Sequence, residues 1–190
     1  MIISKLYNDV LKKEEFWVSF SENNNCEFHH LQTISKDVNK LKLECIHKNI
    51  KILYEESDAK PLGCDFLIKM KNKVTLEFIQ LTIFDHLFAL LKSKEQINNH
   101  PFLKKYKIKS NNLLLVNNFQ KDNDLLDLLN NSEFFGLYAY TDNDFLKVRI
   151  TSSYFVDSYD KLATIFNITC RVIDHLILFE MHDEPQCLTL

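Results

Sequence analysis

The stretch Gly63 to Ile83, GCDFLIKMKNKVTLEFIQLTI, decides how the rest of the chain reads. Two apolar runs, CDFLIKM and VTLEFIQLTI, flank the polar Lys71-Asn72-Lys73, and Pro61 and Gly63 punctuate the chain before them. This pattern predicts two antiparallel strands joined by a tight turn, the second apolar on both faces and therefore central in its sheet. Asp65 then opens the first strand, and Glu77 lies twelve residues later in the middle of the second. Side by side across the turn, two such carboxylates would bind one cation, and hard oxygen ligands suit magnesium or manganese. Glu77 is the more informative, because Leu76, Phe78, Ile79 and Leu81 surround it. An ionised carboxylate in such company is costly unless a cation, an Arg or Lys partner or a raised pKa compensates it. Asp65 reads equally well as a turn carboxylate bonding nearby backbone amides.

Working outward, Leu41, Leu43 and Cys45 alternate with Lys42, Glu44 and Ile46, and the period of two resumes at Ile50, Ile52 and Tyr54. A β-hairpin with Asn49 in its turn is predicted. Ile3, Leu6, Val10, Phe16, Trp17 and Phe20 predict one or two amphipathic helices at the start. Phe28, Leu31 and Ile34 recur at three-residue intervals, which places His29 and His30 in a short helix or a structured loop. Downstream, Phe84, Leu87, Phe88 and Leu91 define a helix face running toward Asn99, with Pro101 marking its end. LLLV at 113–116 reads as a short buried strand, Asp124 to Leu129 as a helix, and FFGLYAY at 134–140 as a strand. The turn Asp142-Asn143-Asp144 would join that strand to LKVRI at 146–150 as a hairpin. Tyr159 to Phe166 suggests a terminal helix, and Val172 to Phe179 an apolar element of either type. With no repeat, linker or shift in composition, the expectation is one α/β (α+β) domain over 1–190. It would be helical over 1–40, sheet-bearing over 41–150 and closed by C-terminal elements over 151–190.

Composition narrows the function. Lys plus Arg number 23 against 26 Asp plus Glu, a net charge of -3, so no global positive field draws in a polyanion and any such site is local. Only two glycines occur, which excludes glycine-rich phosphate loops. Five scattered cysteines, never spaced as Cys-x-x-Cys, disfavour a zinc ribbon or a disulfide framework and fit a reducing compartment. No apolar run is read as reaching the length of a membrane span, so a cytoplasmic protein is expected, without a membrane partner. No nucleophile elbow or comparable signature points to Ser-His-Asp or Cys-His catalysis.

The order helix, hairpin, GCDFLIKM, VTLEFIQLTI, amphipathic helix resembles the common core of the PD-(D/E)xK restriction-endonuclease-like nucleases. The resemblance implies a central mixed β-sheet flanked by helices, with Asp65 and Glu77 as the metal-binding acids. The Lys that follows the second acid by two residues in that superfamily is Ile79 here, and Gln80 is one residue out of phase. In layout the chain is nearest to the cap-snatching endonuclease domains of segmented negative-strand RNA viruses. By that likeness Lys92 or Lys94 on the following helix would be the displaced catalytic Lys, His29 or His30 a further metal ligand, and Glu55 or Glu56 an additional acid. The implied activity is magnesium- or manganese-dependent hydrolysis of RNA or DNA phosphodiesters. Lys104, Lys105, Lys107 and Lys109 around Tyr106, with Lys69, Lys71 and Lys73, would contact phosphates while Tyr106 stacks on a base. The competing reading is a catalytically inactive protein-interaction module, binding a protein partner or a second copy of itself, and Ile79 favours it. His29 and His30 also read as surface or core-edge residues, as do His175 and His182, and Lys92 and Lys94 as the solvated flank of a helix.

Overall fold

The computed structural model describes residues 2–33, 38–82, 100–132, 134–153 and 155–182. Eight strands form one sheet in the order β1-β2-β3-β4-β8-β7-β5-β6, with every pair antiparallel. The strands are β1 (Glu27–Thr33), β2 (Val38–His47), β3 (Ile50–Ser57), β4 (Lys60–Lys69), β5 (Thr75–Gln80), β6 (Tyr106–Ser110), β7 (Phe134–Asp142) and β8 (Phe145–Ser152). The helices are α1 (Ile2–Asn24), α2 (Pro101–Lys105), α3 (Leu113–Lys121), α4 (Asn123–Asn131) and α5 (Tyr159–His182). The class is α+β, as expected. The sheet is antiparallel rather than mixed.

Alternation along the strands puts Leu43, Ile52, Tyr54, Cys64, Phe66, Leu76, Phe78, Leu146 and Val148 on one buried face. The helices cover that face. From α1, Trp17 meets Phe28 at 6.4 Å between ring centres and Phe20 meets Phe166 of α5 at 5.4 Å. Helix α5 presents Leu162, Ile165, Ile168, Val172, Ile173, Leu176 and Phe179 at three- and four-residue spacing, all buried. It is one continuous helix, and the polar residues that break the apolar pattern in sequence sit beside its buried stripe: Asn167 is exposed, Arg171 pairs with Asp122, and Asp174 pairs with His47 and Lys48 at the end of the β2–β3 hairpin. Contrary to the expectation of no membrane-length run, Tyr159–Met181 is long and apolar enough to cross a membrane by length and composition. Part of that run, Leu162 to Phe179 on one face, is buried against the sheet, while Leu178 and Met181 are exposed.

Of the three antiparallel pairs predicted across tight turns, β2–β3 and β7–β8 form and β4–β5 does not. Lys48 and Asn49 hold φ of 48° and 64° between β2 and β3, the paired left-handed residues of a two-residue hairpin turn, and Asn143 holds 55° between β7 and β8. Other expectations are corrected. Residues 27–33, read as helix or loop within a helical N-terminal part, are the edge strand β1, in which Phe28 and His30 alternate with Glu27, His29 and Leu31. The run at 113–116 begins helix α3, because the Asn112 side chain accepts the Leu114 and Leu115 N–H groups at 3.0 and 3.3 Å and burial falls on Leu115 and Phe119, one turn apart. The predicted helix over 84–99, with Lys92 and Lys94, lies outside the described residues.

Cys26 and Cys45 form a disulfide, with 4.5 Å between their Cα atoms, against the expectation from their scatter. The register explains it: Glu27 faces Glu44, so the next pair outward is Cys26 and Cys45, at the separation of a non-hydrogen-bonded antiparallel pair. The buried Cys64 and the half-buried Cys170 stay free, their thiols pushed up to about 12 and about 11 chiefly by burial.

Helix α4 is tied to α5 through Asp122. Its carboxylate accepts the Leu125 N–H at 3.0 Å as N-cap, both oxygens take Arg171 Nη1 at 3.0 Å, and His175 Nε2 lies 2.8 Å away. Burial alone raises the proton affinity of this acid, but the amide, His175 and Arg171 outweigh it and hold its pKa below the ordinary value. A lowered carboxyl pKa contributes stability that is present above the unfolded-state value and is lost as pH falls through the folded one. Asp122→Ala is therefore expected to cost about 2 kcal/mol near neutrality, a cap plus a charge-assisted pair. Urea titrations at neutral pH and below the ordinary Asp range check this, because the difference between variant and parent should shrink on acidification.

The open face of the sheet as candidate functional site

The strands pair so that one row of outward-facing residues crosses the whole sheet. It runs Glu27, Glu44, Leu53, Asp65, Arg149, Tyr138, Glu77 and Lys109, each opposite the next. This row decides the fate of the predicted metal site. Strands β4 and β5 are not partners, because the β7–β8 hairpin lies between them. Asp65 and Glu77 therefore share a face but stand three strand spacings apart, about 14 Å. One cation cannot take both. The connection is not a tight turn either: Lys71 N–H donates to Glu180 of α5 at 2.9 Å and Val74 N–H to the Thr141 hydroxyl of β7 at 2.8 Å, so each end is bound to a different element.

Each acid has its own surroundings. Asp65 accepts from Arg149 Nη2 at 3.0 Å, and its carboxyl is pushed up chiefly by burial, which Arg149 partly offsets. Glu77 is not enclosed by its apolar neighbours. Leu76 and Phe78 point into the core, while Glu77 lies partly exposed between Tyr138 and Lys109. Strand β5 thus has one buried face rather than two.

The other candidates separate in the same way. His30 faces α1, with Nδ1 3.2 Å from Glu14, on the opposite side of the sheet from Asp65 and Glu77. Glu56 is buried on that side too, paired with Lys13 and accepting the Val156 N–H at 2.8 Å, and burial raises its pKa. Glu55 is outward but pairs with Lys40 at 2.8 Å. His29 is outward on β1. Its side chain, Glu27 and Glu44 bring ligand atoms within 4.8 Å of one another, a metal-sized group among the described residues. The Glu44 carboxylate, however, is already held by Lys42 and Lys51, which lower its pKa to about 2.

Among the residues predicted to contact nucleic acid, Tyr106 turns inward. It stacks on Phe102 at 4.6 Å, and its hydroxyl donates to the Phe134 carbonyl at 2.8 Å, so it cannot stack on a base. Lys104 and Lys105 end α2, Lys71 and Lys73 lie exposed in the β4–β5 connection, and Lys107 and Lys109 project from the open face of β6.

What the sequence reading missed is the open face as a surface. Between β2 and β7 it forms a cleft of about 750 Å³, lined by Leu53, Leu67, Tyr138, Tyr140, Lys147 and Arg149 among others. Leu67 is 54% exposed, Tyr138 44% and Tyr140 55%. Lys147 Nζ lies 5.9 Å from the centre of the Tyr140 ring and 2.5 Å from Asp142. A signal was present in the sequence: Tyr138, Tyr140, Lys147 and Arg149 occupy the alternate, non-core positions of two predicted strands.

Fold and face together define an α+β protein whose antiparallel sheet, among the described residues, is covered by helices on one face only. No protein-family model and no curated protein matches the sequence. Among solved structures, the chain is similar to the mycobacterial trehalose monomycolate transport factor A, TtfA, with a TM-score of 0.43 and 9% identity, over 83% of this chain and 92% of that one.

Proposed function

We propose that this chain is a non-catalytic binding module whose working surface is the open face of its sheet. One observation supports the reading above the others: outward positions that water would leave polar hold Leu53, Leu67, Tyr138 and Tyr140 around a single cleft. Scattered exposed apolar side chains are ordinary, but a contiguous group in a concavity marks a binding surface. Against hydrolysis stands the separation of Asp65 from Glu77, since metal-assisted phosphodiester cleavage needs ligands converging on one ion or a close pair.

Two measurements test it. Titration with manganese is expected to give no binding heat and no rise in melting temperature, with labelled RNA and DNA left intact in magnesium or manganese. Metal-dependent cleavage that disappears in Glu77→Ala would overturn the proposal. For the face itself, the apolar dye bis-ANS is expected to bind the folded protein and to lose most of that binding in Leu53→Lys/Leu67→Lys. The substitutions should change unfolding free energy by no more than about 1 kcal/mol, because neither residue is in the core. Dye binding untouched by the double substitution would count against the cleft.

A further inference from the structure

We infer that the β8–β7–β5–β6 half of the open face holds a single-stranded nucleic acid, its bases on Tyr138, Tyr140 and Phe145 and its phosphates on Lys107, Lys109, Lys147 and Arg149. The inference rests on the open-face reading and supplies the partner's chemistry. Charge separates the two halves of the face. On β1 to β4 the outward Lys40, Lys42, Lys51 and Lys69 are balanced by Glu27, Glu44, Glu55 and Asp65. On β8, β7, β5 and β6 the outward Lys107, Lys109, Lys147 and Arg149 meet only Glu77 and Asp142. A chain with a net charge of -3 thus carries a local positive excess, and a polyanion is the complementary partner.

The aromatic residues occupy the same half. Tyr138 and Tyr140 stand on one face of one strand, about 7 Å apart along it, and Phe145, 44% exposed, flanks them on β8. Cations border the rings on both sides. Arg149 is directly opposite Tyr138 and Lys147 opposite Tyr140, while Lys107 and Lys109 project from the edge strand β6 beyond Glu77. Rings rising from a sheet between rows of Lys and Arg form a stacking platform with a phosphate track. Such a platform favours a single strand, because paired bases have no free faces to offer the rings. The Arg149 and Lys147 pairs with Asp65 and Asp142 are exposed, so exchanging carboxylate for phosphate costs little.

Fluorescence anisotropy tests the inference with a labelled mixed-sequence RNA or DNA single strand of about twelve nucleotides, at about 50 mM salt with EDTA present. Binding is expected, weakened about tenfold by each of Tyr138→Ala and Tyr140→Ala. Lys107→Gln/Lys109→Gln should reduce the slope of log affinity against log salt by about 1.4. The same sequence as a duplex should bind more weakly. Four results would overturn it: no binding of either single strand, binding indifferent to both tyrosines, equal affinity for the duplex, or tyrosine-dependent displacement by polyglutamate, which would make the partner a polypeptide. If oligonucleotides fail to bind while bis-ANS still reports the cleft, this inference falls alone. If the dye also ignores Leu53→Lys/Leu67→Lys, the open-face reading falls with it.

Discussion

Phe78→Ala is expected to lower the unfolding free energy by about 3–5 kcal/mol, whereas Glu77→Ala, one residue earlier on β5, should change it by no more than about 0.5 kcal/mol. Phe78 is fully buried. Its ring lies 5.2 Å from Phe119 of α3 edge-on, 6.2 Å from Phe134 of β7 and 6.4 Å from Phe102 of α2. Truncation therefore opens a cavity where a strand and two helices converge, and three rings cannot collapse into it without moving the elements that carry them. Glu77 belongs to the other face, and its loss leaves Lys109 and Tyr138 free to find water. Urea denaturation of the two variants measures the contrast. Comparable losses at both positions would mean that β5 pairs one residue away from the register Glu77–Tyr138 and Glu77–Lys109, because a single-residue slip exchanges the faces.

Reducing the Cys26–Cys45 disulfide is expected to cost about 3 kcal/mol, the loop-closure entropy returned to the unfolded chain by a bond spanning 19 residues. The bond joins the end of α1 and the start of β1 to β2, so its loss should loosen the β1 edge first. Denaturation with and without dithiothreitol checks the magnitude, and Cys26→Ala/Cys45→Ala should be insensitive to the reductant. Hydrogen exchange should locate the weakened amides in 27–33. An unchanged midpoint on reduction would show that the thiols are not joined in solution.

Short-range features were legible because their causes are local. Asn49 and Asn143 tolerate the left-handed backbone that tight hairpins require, and alternation beside them marks the strands. The partner of β4 was not legible. Nearness in sequence argued for β5, but the edge of β4 is taken by β8, with Asp65 opposite Arg149, 84 residues later in the chain. The β7–β8 hairpin, formed by its own turn, offers two edges at once and separates β4 from β5. Residues 113–116 depart from the expected strand for a related reason. A short apolar run fits a strand or a helix equally, and the Asn112 cap and the burial of Leu115 and Phe119 decided it.

By itself, the sequence determined the α+β class, the β2–β3 and β7–β8 hairpins and the alternation of faces along their strands, since strand periodicity is a property of the backbone. Which acid would stand beside which was decided only by the tertiary structure. Asp65 and Glu77 were expected to share a cation, and the order β4-β8-β7-β5 places Arg149 and Tyr138 between them. Strand order depends on contacts between residues far apart in the chain, whose formation is a competition among all available edges. The same long-range choice that dispersed the carboxylates set Tyr138 and Tyr140 between Lys147 and Arg149 on one side and Lys107 and Lys109 on the other.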